Sequence, residues 1–368
     1  MLKPFTCAAL ALGVPSLSFG NIDDRIQDLE MEMKEISVRT PHETLGIQFG
    51  SARPDVRGDS RYFLTFDILY WHTKVGGTEF AYTTQSPQRF PSKGSLKHNH
   101  FSWDLGLKVG LGYHLTHDGW DLYGCYTWYE NDDTDQVAQR FPSFVVPERV
   151  YAPFPAEKAK SNYDTDYQSA DFELARSYFI SRYFSFRPHI GVKSSWINLR
   201  QAVTYSLPMN SNFPELHFKS KDSNRFWGFG PRLGVNSKWH LGYGFSIFGE
   251  VSAALFYGYF NTGHKESVPP NLVAGNRGTI INLESKFHHY VPFISYHLGL
   301  CWQRYVNRQR QHIAFSLGYE TQYYWRVNQM NHNGLTTFTQ GQLIRLAFDH
   351  DSEDLSFYGM TGRFRLDF

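Results

Sequence analysis

The stretch that decides the fold runs from Phe101 to Leu115 and has the sequence FSWDLGLKVGLGYHL. Apolar side chains occupy every second position without interruption: Phe101, Trp103, Leu105, Leu107, Val109, Leu111, Tyr113 and Leu115. Because successive side chains of a β-strand point to opposite faces, this pattern predicts a strand with one apolar and one polar face. Its 15 residues exceed most globular strands and are enough for a tilted bilayer crossing.

The same alternation recurs along the chain. Further strands are predicted within 62–70, 120–128, 172–180, 227–235, 245–257, 290–302, 313–325 and 358–368. Short connections are predicted near 116–119, 181–183, 237–241 and 303–310, and long ones near 86–100, 131–164, 208–222, 261–283 and 327–352. Alternating short turns and long loops are typical of outer-membrane barrels. Residues 61–368 are therefore predicted to form an all-β, antiparallel transmembrane β-barrel of ten to sixteen strands. A soluble β-sandwich would alternate similarly, but with shorter strands and a core of mixed side-chain sizes.

The first sixty residues carry a different pattern. Lys3, the apolar run from Phe5 to Leu17 and the small residues at 18 and 20 predict a signal peptide over 1–20. One seam of a short coiled-coil-like helix is predicted over 21–40, formed by Ile22, Ile26, Leu29, Met33 and Ile36. This helix either makes the protein a homo-oligomer or docks on another surface. Residues 41–60, with two prolines, are predicted to be a linker.

Charge excludes one class of partner. The sequence has 36 basic and 35 acidic residues, and loss of residues 1–20 removes one Lys, which leaves 35 − 35 = 0. A neutral chain lacks the basic footprint of a nucleic-acid-binding protein. No stretch after the signal peptide has the roughly 18 consecutive apolar residues of a transmembrane helix. We therefore expect an exported chain that enters the membrane as strands.

The chain ends within a strand pattern. Tyr358, Met360, Gly362, Phe364, Leu366 and Phe368 share one face. A terminal Phe that closes an amphipathic strand resembles the recognition signal of outer-membrane barrels. We therefore expect two partners, the barrel-assembly machinery through Phe368 and the lipid of the bacterial outer membrane.

Five blocks, taken in order, resemble a known family. They are FDILYW at 66–71, VGLGY at 109–113 with HDGWDLY at 117–123, RPHIG at 187–191, FWGFGPR at 226–232 and GYETQY at 318–323. The sequence from about residue 60 onward is similar to the chlamydia-type and legionella-type major outer membrane protein-like family of pore formers. The resemblance implies an outer-membrane barrel with porin-like activity and offers no catalytic residues. Members can be cysteine-rich and cross-linked, whereas only Cys125 and Cys301 remain here after the signal peptide.

Nine charged residues occupy the polar face of the predicted strands and are candidates to line a pore. They are Asp104, Lys108, Glu173, Lys193, Arg232, Glu250, Glu320, Arg363 and Arg365. Since buried unpaired charges are costly, either water fills the interior or these charges pair across it. Glycines of the same parity either leave space in the interior or permit tight curvature of the strands: Gly106, Gly110, Gly112, Gly228, Gly230 and Gly234.

Three functions follow from this pattern. The first is an outer-membrane, porin-like protein for passive diffusion of small hydrophilic solutes. The second is a surface-exposed adhesion, binding or structural barrel without a conducting pore, with function in long loops such as 141–155. The third, a barrel hydrolase, would need a Ser–His pair with an orienting partner, and no spacing selects one. No enzyme activity, cofactor or metal is expected, because the histidine pairs lack ligand spacing.

Overall fold

The computed structural model describes residues 51–54, 56, 61–85, 93–115, 119–140, 142–150, 155–207, 216–268, 278–339, 342–350 and 352–368. Only the backbone is described for residues 332–339 and 342–350. The chain divides into two units, residues 1–50 and 51–368, and every described residue belongs to the second. The signal peptide predicted for 1–20, the helix predicted for 21–40 and the first part of the linker therefore lie outside the described residues.

The second unit is built from β-strands. They are β1 (Tyr62–Val75), β2 (Ala81–Thr84), β3 (Gly94–Lys97), β4 (Trp103–His114), β5 (Trp120–Ala138), β6 (Phe144–Pro147), β7 (Lys158–Arg176), β8 (Tyr178–Ser181), β9 (Phe184–Leu207), β10 (Leu216–Gly242), β11 (Phe245–Ser267), β12 (Thr279–Val306), β13 (Gln311–Asn328), β14 (Asn331–Thr339), β15 (Gln342–His350) and β16 (Glu353–Asp367). No helix among the described residues is long and apolar enough to cross a membrane.

Ten of these strands close into a ring. The order is β1, β4, β5, β7, β9, β10, β11, β12, β13 and β16, and every neighbouring pair is antiparallel. The ring closes where β16 pairs with β1, from Phe63 opposite Asp367 to Val75 opposite Leu355. A closed ring leaves no unpaired strand edge, which is the condition for β-strands to span a bilayer. The predicted antiparallel barrel is confirmed, with ten strands in its wall.

Short turns lie at one end of the ring and long connections at the other. The turn predicted at 181–183 is found between β8 and β9, whereas most of the turn predicted at 116–119 lies outside the described residues. The turn predicted at 237–241 is wrong, because β10 continues to Gly242 and the chain reverses at Tyr243 and Gly244. Both residues have positive φ, 53° and 83°, as a two-residue type I′ hairpin turn requires. β1 begins and β16 ends at the turn end, where the Phe368 amide donates to the Tyr62 carbonyl at 3.1 Å.

An apolar belt surrounds the outside of the ring on the turn side. Its exposed side chains include Leu64, Phe66, Ile68, Leu105, Leu107, Val109, Leu111, Phe229, Leu233, Ile247, Val251, Leu298, Leu300, Phe315 and Leu317. Aromatic side chains bound the belt near the turns, among them Tyr62, Trp239 and Tyr243. On the other side, one row paired across six strands contains Trp128, Gln168, Trp196, Trp227, Tyr259 and His288. This aromatic row divides the wall into a turn-side half and a loop-side half.

Beyond the aromatic row the polarity of the wall is inverted. On the loop side, outward positions carry polar groups such as Lys160, Asp164 and Lys221, while Leu199 and Val203 point inward and are fully buried. The strands β9 to β12 have 24, 27, 23 and 28 residues, far more than the roughly 9–11 of one bilayer crossing. The loop-side half is therefore a water-facing continuation of the barrel, whose buried interior holds apolar clusters together with polar side chains such as Ser161, Ser220 and His264.

A small folded cap lies at the loop end of the barrel. It consists of the sheet β3-β2-β6 and the segment that follows β6. Phe80, Val145 and Val150 are buried in one cluster with Tyr205 and Phe218 of the wall. Arg149 of the cap is 2% exposed and its Nε donates to the Glu79 carbonyl at 2.7 Å. Phe80, Val145 and Val150, which belong to the two long connections, are therefore packed against the wall strands.

Candidate functional site in the barrel interior

The interior of the turn-side half contains eight of the nine candidate pore-lining residues. They are Lys108, Glu173, Lys193, Arg232, Glu250, Glu320, Arg363 and Arg365. Asp104 is apart from them: it lies opposite Trp71 in the β1–β4 register and accepts a hydrogen bond from Asn131. The eight residues occur on seven strands, and each is brought inward by the alternation of its own strand.

A first group of ion pairs is formed between β5, β7, β9 and β10. Lys193 Nζ lies 2.9 Å from Asp171 Oδ2, and Arg232 Nη1 lies 3.1 Å from Asp171 Oδ1. Arg187 donates to Glu173 at 2.9 Å and to Asp121 Oδ2 at 3.2 Å. All three carboxylates are less than 9% exposed. Each carboxylate therefore accepts hydrogen bonds from a cation in place of water.

A second group joins strands that lie three places apart in the ring. Lys108 Nζ of β4 is 3.0 Å from Glu320 Oε1 of β13. Arg363 of β16 donates to Asp67 at 3.0 Å and to Glu250 of β11 at 2.7 Å. Asp67 lies on β1, the strand next to β16, whereas the Lys108–Glu320 and Arg363–Glu250 pairs join strands three places apart. These two pairs therefore cross the interior. Of the two alternatives drawn from the sequence, pairing across the interior is therefore seen for Lys108 with Glu320 and for Arg363 with Glu250.

A third group of ion pairs lies near Phe368, at the turn end of the barrel. Asp367 receives hydrogen bonds from Arg365, with Nε 3.0 Å from Oδ2, and contacts His312 Nδ1 at 2.8 Å and His114 Nε2 at 3.4 Å. The guanidinium of Arg365 also stacks 3.9 Å from the ring centre of Phe63. This group fills the interior at the turn end with charged and aromatic side chains.

An aromatic layer covers the ion pairs on the loop side. Tyr167 of β7 and Tyr324 of β13 stand five strands apart, directly opposite in a ring of ten, and their hydroxyl oxygens are 2.9 Å apart. Trp71, Phe357 and Phe256 belong to the same buried cluster, and their exposed fractions are zero. The layer therefore closes the interior from wall to wall.

The inward glycines do not open a passage. A Cβ added to Gly112 would collide with the Phe63 ring, and one added to Gly228 would collide with the Phe226 ring. The same holds for Gly110, which faces the Tyr123 hydroxyl. Neighbouring aromatic side chains therefore occupy the space beside these three glycines. The glycines make room for those side chains and do not leave open space in the interior.

Sequence reasoning missed several members of the interior groups. They are Asp67, Asp121, Asp171 as an ion-pair partner, Arg187, His189, His297, His312, Tyr167, Gln322, Tyr324 and Asp367. Asp67 and Asp121 could have been identified from the sequence, because each occupies an inward-facing position of a predicted strand. Tyr167 and Tyr324 could not have been identified in this way, because the interior was expected to be polar and an aromatic side chain there contradicts that expectation.

Neither cysteine nor histidine forms a further site. Cys125 and Cys301 are free cysteines and form no disulfide with each other. Within the described part of the chain, no group of three or more His, Cys, Asp or Glu has the geometry to hold a metal ion.

Comparison with known families decides where the chain belongs. A family model described as "Legionella pneumophila major outer membrane protein precursor" matches residues 57–368, which is nearly the whole barrel unit. The chain belongs to this major outer membrane protein family. It is an outer-membrane β-barrel protein of bacteria, and the resemblance inferred from the five sequence blocks is confirmed. The turn-side half with its apolar belt is the part that the bilayer surrounds.

Solved structures with related folds are distant. The outer membrane protease OmpT from Escherichia coli has a TM-score of 0.42 at 8% identity, covering 86% of this chain and 99% of that one. The translocator domain of the autotransporter NalP from Neisseria meningitidis has a TM-score of 0.30 at 9% identity, covering 94% and 96%. The Pseudomonas putida toluene transporter TodX has a TM-score of 0.30 at 9% identity, covering 84% and 89%. No individually curated protein matches the chain.

Proposed function

We propose that the protein is a porin-like passage for small hydrophilic solutes whose interior is closed in the conformation described above. The observation that carries the proposal is the column of ion pairs through the turn-side half, from Asp367 to Glu320. Of the two alternatives that the sequence leaves open, a water-filled interior and charges that pair across it, we take the second as the closed state, and the pore conducts when these pairs separate.

The energetics of buried ion pairs favour a functional role for this column. Replacing a buried ion pair with well-packed apolar side chains is often neutral or stabilising by about 1–4 kcal/mol. A barrel that served only as an anchor would be held at least as firmly by an apolar interior. Charged groups, in contrast, can exchange each other for water, and opposed acids and bases then set the solute preference of the passage.

Several polar atoms support a hydrated interior. Among the described residues, Asp67 Oδ1, Thr127 Oγ1 and His297 Nε2 are buried and have no hydrogen-bond partner in the protein. Buried polar atoms in folded proteins nearly always have a partner, which is ordered water where protein groups are lacking. Water bound beside the ion pairs would lower the cost of separating them.

The proposal is tested by single-channel recording in planar lipid bilayers. The wild-type protein is expected to insert and to show rare, small current steps. The double variant Tyr324→Ala/Phe357→Ala, which thins the aromatic layer, is expected to show larger and more frequent steps. The control Phe229→Ala removes an aromatic side chain from the outer belt and is expected to conduct as the wild type does.

Folding of each variant is checked by the heat-dependent shift in electrophoretic mobility that folded barrels show. If folded wild type and the folded double variant both insert without any current, the proposed passage is refuted. If the wild type is as conductive as the double variant, the closure by the aromatic layer is refuted.

A second function, recognition at the cell surface, is favoured by one feature of the cap. A cavity of about 560 Å³ opens beside β2 and β3, and its polar lining includes Thr83, Lys93, Ser95, Gln139 and Ser143. Deleting 141–155 would not test it cleanly, because Val145 and Val150 are part of the packed cluster. Substituting exposed Lys93 by Ala is expected to weaken binding to host cells without loss of folding; unchanged binding would exclude this cavity.

A further inference from the structure

The outer surface of the loop-side half carries an uneven distribution of charge. On β10, β11 and β12, the outward positions beyond the aromatic row hold five cations: Lys219, Lys221, Arg225, Lys265 and Lys286. The described outward positions of the same three segments hold one carboxylate, Glu284. We call these five residues the basic patch. Its net charge is 5 − 1 = +4.

The neighbouring wall carries the opposite charge. Glu130 of β5 pairs in register with Asp166 of β7, and Asp132 pairs with Asp164. Between the two regions stands Arg200 of β9, which donates to Asp166 at 2.9 Å. Asp166 is thus engaged by Arg200 on the side that faces the basic patch.

The basic patch begins directly at the edge of the apolar belt. Arg225 and Lys286 share the next row outward from the aromatic row, each two residues from a member of it. Two residues of a strand span about 7 Å, so these cations stand at the level of lipid head groups. Lys221 stands a further four residues outward, about 14 Å along the strand from Arg225. The patch is therefore a vertical band that rises from the membrane surface.

Within the band, two lysines face each other. Lys221 of β10 and Lys265 of β11 are directly opposite in the antiparallel register. Like charges in this position destabilise a sheet. Among the described residues, neither ammonium group forms an ion pair. An anion bound between the two ammonium groups would offset their repulsion and so account for the lysine pair.

The surface between these lysines is concave. A cavity of about 390 Å³ is lined by Lys221, Lys265 and Arg200, and Ala202, Ser223 and Gly263 contribute small side chains to it. Three carboxylates, Asp164, Asp222 and Glu284, also line it. Small residues between long cationic ones leave room for a tetrahedral anion to approach the sheet.

We propose that the basic patch binds the phosphate-bearing head group of a glycolipid in the outer leaflet of the outer membrane. The acyl chains of the bound lipid lie along the apolar belt beneath, against Phe229 and Tyr257. Its phosphate groups contact Arg225 and Lys286 near the membrane surface and Lys221 with Lys265 further out. The charge of the patch, its continuity with the belt and its height on the wall all match an anchored polyanion. This site is on the outer surface and is independent of the proposed passage.

The test measures retention of diphosphoryl lipid A by the purified full-length protein, using native mass spectrometry from detergent. The double variant Lys221→Gln/Lys265→Gln is expected to retain at least about tenfold less lipid than the wild type, since each cation near a charged surface contributes appreciably. The matched control is Lys74→Gln on β1, which removes an outward lysine beyond the belt, four places from β11 and five from β10 in the ring. It is expected to retain lipid as the wild type does.

Two further arms separate the sources of the effect. Monophosphoryl lipid A, with the same chains and one phosphate fewer, is expected to bind the wild type more weakly than diphosphoryl lipid A does. The difference in retention between the wild type and the double variant is expected to be smaller for this lipid. Inorganic phosphate at the same concentration is expected not to displace the lipid. Equal retention by wild type and folded double variant would overturn the proposal, as would full displacement by inorganic phosphate.

Discussion

The two halves of the barrel wall follow the same strand alternation with opposite polarity. In the turn-side half, Leu233 and Val251 face outward while Arg232 and Glu250 face inward. In the loop-side half, Lys221 and Lys265 face outward while Phe218 and Val203 are buried inside. The covalent strands are continuous through the aromatic row, so hydrogen-bond pairing is the same in both. The difference shows that the solvent outside the wall, hydrocarbon or water, selects which parity is apolar.

The largest effect is expected from a charge placed in the apolar interior of the loop-side half. Leu199 is fully buried there. The substitution Leu199→Asp buries a carboxylate with no cation nearby and is expected to lower the free energy of unfolding by about 4 kcal/mol or more. The urea midpoint in detergent micelles measures it. Thr204→Asp, an outward position on the same strand between Lys160 and Lys219, is the control and should change little; equal loss in both would contradict the inverted polarity.

In the turn-side half, the corresponding interior change removes a charge. Lys108→Met leaves Glu320 buried without its cation and is expected to cost about 3–5 kcal/mol. The double variant Lys108→Met/Glu320→Gln removes both charges, and most of the lost stability should return. Urea unfolding of the two single variants and the double variant gives the coupling energy. Additive losses would show that the 3.0 Å pair contributes nothing as a pair.

A charge on the outside of the turn-side half is expected to have an intermediate effect. Leu298 is 63% exposed on the isolated barrel and belongs to the apolar belt. Leu298→Arg places a guanidinium in hydrocarbon and should cost about 2–4 kcal/mol, measured by unfolding from lipid vesicles. Asn282→Arg, at the same parity of β12 beyond the aromatic row, faces water opposite Lys265 and should cost less than about 1 kcal/mol. A large loss at 282 would place the bilayer further outward than the aromatic row.

The smallest expected effect is a gain in stability from a substitution on the outer surface of the loop-side half. Asp132 and Asp164 are directly opposite and both face outward. Replacing one of them, as in Asp164→Asn, removes a like-charge pair and is expected to stabilise the protein by about 0.2–1 kcal/mol. The gain should shrink in 1 M salt, because screening already weakens the repulsion. A stability that falls instead would indicate that Asp164 accepts a favourable contact from Arg200.

The turn-side half was predictable from sequence and the loop-side half was not. Strict alternation of apolar and polar residues located the strands around Leu107, Leu233 and Leu298, and the terminal alternation located β16. The segments 131–138, 158–164, 216–222, 261–267 and 279–283 were predicted to lie in long loops, yet they are strand. Their outward residues are polar, and their inward residues include Ser161, Ser220 and His264, so no apolar period marks them.

The same reasoning explains what was found of the interior. Charged residues stand out against the apolar belt, so parity alone brought eight of the nine candidates to the turn-side interior. Their partners could not be chosen from sequence, because pairs such as Arg363 with Glu250 join strands three places apart in the ring. The aromatic layer was missed because the expectation of a wet interior assigned Tyr167 and Tyr324 no role there.

The inversion of polarity at the aromatic row is the central claim, and one measurement tests it directly. Single spin labels are placed in a protein lacking Cys125 and Cys301, at outward positions of β10 from Lys221 through Arg225 to Phe229 and Leu233, and reconstituted in lipid vesicles. Labels at 229 and 233 are predicted to collide with oxygen dissolved in the lipid, and labels at 221 and 225 with a water-soluble nickel chelate. Equal access of the nickel chelate to all four positions would contradict the account.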